Sequence, residues 1–164
     1  MKNDLGYWRA QRVVKDPSEF RLCQNIIERN FEALKHIFVN LISGDNYPHI
    51  GTNDFLSFCR KVDILDDTMP SSYVEIAWSG LLSGNRPAGP GNTLFRHEFL
   101  EMFIRIANSK YRDSGRAKSS SEALEILLSS CIPKFSLRPW QEFRDKDLWQ
   151  KDVDALFKTN LDFL

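Results

Sequence analysis

The stretches "NDFLSFC" (53–59) and "RHEFLEMF" (96–103) repeat one frame, and this repeat decides the fold class. In each, an acidic residue, Asp54 or Glu98, is followed by Phe-Leu, and an aliphatic residue stands four positions before the acid. Further apolar residues then recur at the three- and four-residue spacing of one helix face. The repeat therefore predicts two similarly built helices, each entered from a loop.

Outward from these stretches, the same spacing recurs through most of the chain and predicts an all-α fold. No segment alternates long enough for a strand, apart from a β contact of about two or three residues between the loops. Helices are expected over Ser18–Ile42, from Thr52 or Asn53 through Val62, from Ser71 or Ser72 to Leu82, over Arg96–Tyr111, from Ser119 to just before Pro133, and over Lys146–Leu164.

The composition, net charge and apolar run lengths of the chain argue against several classes of function. The chain has 164 residues, of which 42% are hydrophobic and 12% aromatic, so it can bury a core and is not disordered in composition. A formal net charge of zero does not favour nucleic acid as a partner. No apolar run is long enough to span a bilayer, and the first residues lack the apolar core of a secretory signal. We expect a cytoplasmic protein without nucleic-acid or membrane partners.

The three cysteines, Cys23, Cys59 and Cys131, are widely separated and lie in apolar runs. An odd number without CxxC spacing predicts buried, reduced thiols rather than disulfides or a zinc site.

The order helix, loop, aliphatic residue, acid, Phe, helix, written twice across about residues 18–111, resembles the paired EF-hand of calmodulin-like proteins. In that family the eighth loop positions, here Ile50 and Leu94, pair in a small β contact. The twelfth positions, here Asp54 and Glu98, carry a calcium-binding carboxylate. The resemblance implies an EF-hand-like helix-loop-helix pair, followed here by two C-terminal helices.

The first loop departs from the calcium-binding pattern. Counting back from Asp54, its ligand positions fall on Ser43, Asp45 and Tyr47, and Pro48 stands where the family uses Gly. Calcium requires six to eight oxygen ligands, several of them anionic. The loop is expected to bind no metal, or to bind calcium only weakly through Ser43, Asp45, Tyr47 and Asp54.

The second loop departs further. No carboxylate lies between Ser83 and His97, and Arg86 adds a positive charge. Glu98 is therefore expected to stabilise the N-terminal end of its helix instead of binding calcium. No cofactor is expected.

The chain divides into an N-terminal arm (1–16), the degenerate EF-hand pair (17–111) and a C-terminal helical extension (112–164). The apolar residues of the arm include Tyr7 and Trp8. They either pack on the protein's own surface or anchor another protein.

The end of the chain restates an earlier motif, because "KTNLDFL" (158–164) resembles "ERNFEAL" (28–34). Either the chain belongs to a longer tandem array, or two amphipathic helices share their periodicity by chance. In the first case Leu161, Phe163 and Leu164 form an unpaired face that binds a partner.

A cluster of cations surrounds the end of the fourth predicted helix: Arg105, Lys110, Arg112, Arg116 and Lys118. It fits either a solvated face or contact with an acidic surface.

No catalytic constellation is found. His36, His49 and His97 have no Ser or Cys at nucleophile spacing, and "SGNRPAGPGNT" (83–93) is not a phosphate-binding loop.

The sequence predicts a non-catalytic, calcium-independent interaction or scaffold module. The resemblance implies a place in a cytoskeletal or ciliary assembly. An apolar groove of the pair would hold the fifth helix, the last helix or a larger assembly. The alternative is a low-affinity calcium sensor that uses the first loop.

Overall fold

The computed structural model describes residues 7–42, 47–83, 91–135 and 140–161, and its fold is all-α as predicted. The described helices are α1 (Pro17–Arg29), α2 (Phe31–Leu41), α3 (Thr52–Lys61), α4 (Ser71–Leu82), α5 (Arg96–Ala107), α6 (Ser120–Cys131), α7 (Trp140–Phe143) and α8 (Lys151–Thr159). The two short strands are β1 (Ile50–Gly51) and β2 (Thr93–Leu94).

The first predicted helix is wrong in its length, because the chain breaks at Asn30 into α1 and α2. The Asn30 backbone leaves the helical region at φ −98° and ψ 8°, and its Nδ2 donates a hydrogen bond to the Ile26 carbonyl at 2.8 Å. An amide side chain that bonds its own backbone in this way competes with helix continuation. The predicted start is confirmed, since the Asp16 carboxylate caps α1 and Pro17 occupies its first position.

The short β contact expected between the loops is present. Ile50 pairs with Leu94 and Gly51 with Thr93 in an antiparallel register, and both aliphatic side chains are fully buried. This contact brings the starts of α3 and α5 side by side.

Helix α5 is the centre of the core, and its residues from Glu98 to Ala107, except Arg105, are buried. Phe99 and Phe103 pack edge to face at 5.1 Å, and Phe55 and Phe58 pack against them. Phe31 is partly buried and packs against this core. The helix continues as a π-helical segment, Asn108–Arg112.

Helix α6 begins as predicted, because the Ser119 hydroxyl accepts a hydrogen bond from the Glu122 amide at 3.2 Å. The helix packs on α1 and α5. Its buried face consists of Ala123, Leu124, Leu127, Leu128 and Cys131.

The single helix predicted over Lys146–Leu164 is wrong. The chain forms the short α7, a π-helical segment (Arg144–Leu148) and, after a break, α8. At the break the Trp149 amide donates to the Arg144 carbonyl at 2.6 Å, and the Arg144 guanidinium lies 4.2 Å from the Trp149 ring centre. These two contacts close the segment locally and turn the chain before α8 begins.

Candidate functional site

The first loop is described only in part. Ser43 and Asp45 lie outside the described residues, whereas Tyr47 is 75% exposed and Asp54 is partly exposed in the first turn of α3. Among the residues that the structure describes, no group of three His, Cys, Asp or Glu side chains could hold a metal ion. Weak calcium binding at this loop stays a prediction.

The corresponding acid of the second loop, Glu98, is bound within the protein. Its side chain is 1% exposed, and its Oε2 accepts a hydrogen bond from the Phe95 amide at 3.0 Å. Its Oε1 lies 3.6 Å from Nη2 of Arg9, which belongs to the N-terminal arm. The predicted role at the helix N-terminus is confirmed, because a carboxylate on an unpaired N–H in the first turn stabilises a helix.

A second buried carboxylate, Glu101, lies one turn further along α5 and is also 1% exposed. Its Oε1 accepts hydrogen bonds from Nη2 and Nε of Arg105 at 2.9 and 3.2 Å, and its Oε2 accepts one from the backbone amide of Arg9 at 2.9 Å. The sequence analysis did not identify this site. The available signal was two acids three residues apart in the otherwise apolar stretch of residues 98–104.

The arm between residues 7 and 16 packs on the protein's own core, which was one of the two readings left open. Trp8 is 8% exposed, and its ring lies edge-on to Phe20 at 6.3 Å. The prediction that Trp8 is an exposed anchor for another protein is therefore wrong, because its indole ring is already buried. Tyr7 remains 59% exposed, with its ring 5.4 Å from that of His97.

The basic cluster is not simply a solvated face, because Lys110 is 4% exposed. Its Nζ donates to the Ile64 carbonyl at 2.5 Å and to Asp66 Oδ2 at 2.6 Å. The hydrogen bond from Lys110 holds the pKa of Asp66 well below its ordinary value, and a second one from Thr68 adds to this. This ion pair fastens the connection between α3 and α4 to the end of α5.

The three cysteines are free and buried, as predicted. Burial raises the pKa of the Cys23 and Cys131 thiols to about 12 each, and it raises that of Cys59 as well. Thiols with so little thiolate at neutral pH are poor nucleophiles.

The C-terminal helix α8 presents an apolar face to solvent, and none of its residues is buried. Leu156 is 64% exposed and Phe157 is 46% exposed, and Leu161, just beyond the helix, is 64% exposed. Trp149 and Phe157 line one open groove of about 570 Å³. Phe163 and Leu164, which were expected to join this face, lie outside the described residues.

Comparison with protein-family models, curated proteins and solved structures found no match to this chain. In the described part of the chain, every helix is too short or too polar to cross a membrane.

Proposed function

We propose that this chain is a non-catalytic, calcium-independent protein interaction module built on a degenerate EF-hand-like pair. The observation that carries the proposal is the exposed apolar face of α8 and its flank, Leu156, Phe157 and Leu161. Contiguous exposed apolar side chains mark interaction surfaces more often than scattered ones do.

The loop geometry supports the EF-hand-like part of the proposal. The pairing of Ile50 with Leu94 joins the two loops at the positions that the repeated frame specifies, and an acid follows four residues later in each case. This geometry places α3 and α5 in equivalent positions relative to the β contact.

The contacts of Glu98 support calcium independence at the second loop. One carboxylate oxygen accepts the Phe95 amide, and the other faces the Arg9 guanidinium. A cation recruited to this carboxylate would have to displace a guanidinium of the same chain.

The packing of α6 supports a pair that is permanently closed. In EF-hand sensors, calcium exposes an apolar groove that binds an amphipathic helix. Here α6 buries Leu124, Leu127 and Leu128 on α1 and α5, so the chain supplies its own helix to that core. The exposed apolar face of α8 is then the proposed surface for binding partners. The module would act in the cytoplasm, as a part of a cytoskeletal or ciliary assembly.

The test combines a surface variant with a calcium titration. Leu156→Asp/Phe157→Asp should abolish a complex that the wild-type chain forms with a protein from its native cell extract, and the matched control Asp152→Asn/Lys158→Gln should retain it. Calorimetry and backbone-amide NMR should show no saturable response to calcium.

Two results would contradict the proposal. If the Leu156→Asp/Phe157→Asp variant still forms the complex, α8 is not the partner-binding surface. A saturable calcium shift at Asp54 and its neighbours makes the chain a sensor instead.

A further inference from the structure

Helices α1 and α8 end in the same local structure, although they lie far apart in the sequence. Helix α1 ends at Asn30 with φ −98° and ψ 8°, and α8 ends at Asn160 with φ −115° and ψ 18°. In both, the Asn Nδ2 donates a hydrogen bond of 2.8 Å to the carbonyl four residues earlier, that of Ile26 or Leu156. The sequence similarity around these two residues is therefore accompanied by a shared backbone geometry.

The apolar residues that precede the two Asn residues also correspond. Counted back equally from each Asn, the pairs are Cys23 and Val153, Ile26 and Leu156, and Ile27 and Phe157. The three residues of α1 are buried, whereas none of the three in α8 is buried. The two helices thus carry equivalent apolar faces, of which one is covered and the other is not.

Helix α6 covers the apolar face of α1. The two helices pack closely, and the Arg29 guanidinium forms an ion pair with the Glu125 carboxylate at their edge. The residues that α6 buries follow the pattern small–Leu–x–x–Leu–Leu–x–x–small, which consists of Ala123, Leu124, Leu127, Leu128 and Cys131. This stretch of α6 is nine residues long, as is α8, so each spans about 14 Å.

We infer that the partner of α8 is an amphipathic helix with the apolar pattern of α6, and that it covers α8 as α6 covers α1. The inference rests on the proposed function of the α8 face and specifies what binds there. Helices that bind in this way insert apolar residues at three- and four-residue spacing into an apolar surface. The exposed side chains of Leu156 and Phe157 supply that surface on α8.

One difference between the two faces sets the character of the contact. The position that corresponds to Arg29 is Thr159 in α8, which carries no charge. A helix bound to α8 therefore gains no ion pair like that of Arg29 with Glu125. Its affinity should depend on the apolar pattern and not on an acid at the position of Glu125.

The probe is a fluorescent peptide of residues 118–132, which contains α6, and the readout is fluorescence anisotropy with the full chain. The peptide should bind the wild-type chain saturably. It should bind at least about tenfold more weakly to the Leu156→Asp/Phe157→Asp variant. The matched control chain, Asp152→Asn/Lys158→Gln, should keep the wild-type affinity within about twofold.

Two changes in the peptide test the pattern. Leu127→Asp/Leu128→Asp should weaken binding at least about tenfold, because it removes the central apolar pair. Glu125→Gln should leave the affinity unchanged. In backbone-amide NMR of the wild-type chain, the peptide should shift residues 151–161 and not α1, because the chain's own α6 competes for α1 at a high effective concentration.

Several results would overturn the inference. Peptide binding that persists in Leu156→Asp/Phe157→Asp, or that shifts α1, would mean that the peptide displaces α6. A wild-type dimer that the same variant abolishes would mean that a second copy of α8 covers the face.

The failure of the inference can be told apart from that of the proposed function. If the peptide does not bind, but the α8 double variant still abolishes the complex with the protein from cell extract, the inference fails and α8 remains the partner-binding surface. If the double variant changes neither peptide binding nor that complex, both the inference and the proposed surface are wrong.

Discussion

Helices α6 and α8 both belong to the C-terminal extension and both carry apolar residues on one face, but only one of them is covered. Helix α6 buries Ala123, Leu124, Leu127, Leu128 and Cys131 against α1 and α5, whereas no residue of α8 is buried. Periodicity predicts a helix and names the face that seeks a partner. It does not say whether that partner lies within the chain.

The difference between these helices has a local cause in the connections that precede them. Residues 113–118 connect the π-helical segment that follows α5 to Ser119, which caps α6, and α6 then packs along α1 and α5. Helix α8 follows the turn closed by Arg144 and Trp149, whose ring is 58% exposed. A helix that begins after such a solvent-exposed turn has no neighbouring core surface to cover its apolar side.

The largest expected effect concerns the surface on which α6 lies. Phe99→Ala should lower the free energy of unfolding by about 3–5 kcal/mol, because it removes a fully buried ring that contacts Phe38, Phe55 and Phe103. Chemical denaturation followed by circular dichroism measures the change. A near-neutral result would contradict the central position of α5.

A matched pair of substitutions tests the comparison itself. Leu127→Ala in α6 should cost about 2–5 kcal/mol, since its side chain is 1% exposed. Leu156→Ala in α8, with its side chain 64% exposed, should change stability by less than about 0.5 kcal/mol. Equal losses in denaturant melts would mean that α8 is covered in solution as α6 is.

Much of the fold could be predicted, because the repeated frame carries local information. The spacing predicted the all-α class and the α4 bounds, the residue type of Ser119 predicted the start of α6, and the resemblance implied the contact of Ile50 with Leu94. The break at Asn30 was missed because its side-chain bond to the Ile26 carbonyl competes with a helix that the periodicity favours equally well.

The polar sites were predictable only in part, because they join distant segments. The role of Glu98 at its own helix end was readable, since its partner Phe95 is close in sequence. The contacts of Arg9 with Glu101 and of Lys110 with Ile64 join residues that are 92 and 46 positions apart in the sequence, and single-sequence patterns do not report such pairs. A basic residue among other basic residues looked solvated until its acceptors were known.

A smaller effect should appear at acidic pH in the connection that fastens α3 and α4 to the core. The pKa of Asp66 is lowered in the folded chain by the hydrogen bond from Lys110, so its ionised form stabilises the fold above the unfolded pKa of about 3.9. This contribution is lost as the pH falls below that value through the folded pKa. The side chain of Asp66 is 43% exposed, so solvent screening keeps the effect modest.

Unfolding measured between about pH 2 and pH 6 checks this expectation. Asp66→Asn should flatten the acid-side loss of stability, and Asp67→Asn, at the exposed neighbouring position, should not. If stability falls with pH in the same way in both variants, Asp66 does not cause the acid-side loss. Because Asp66 lies between α3 and α4 and not on the α8 face, partner affinity should not change with this substitution.

The smallest effect is expected in the first loop, where Asp54 occupies the position that corresponds to Glu98. Asp54→Ala removes an acid from the first turn of α3 and should cost less than about 1 kcal/mol of stability. Partner affinity should stay within about threefold of the wild type, with or without calcium, because the proposed contact surface lies on α8. Binding assays at both calcium levels compare this variant with Leu156→Asp/Phe157→Asp. If Asp54→Ala weakens the complex only when calcium is present, calcium binding at the first loop controls partner binding by the exposed apolar face of α8. Helix α6 would then have a fixed position in the core, whereas partner binding by α8 would depend on calcium.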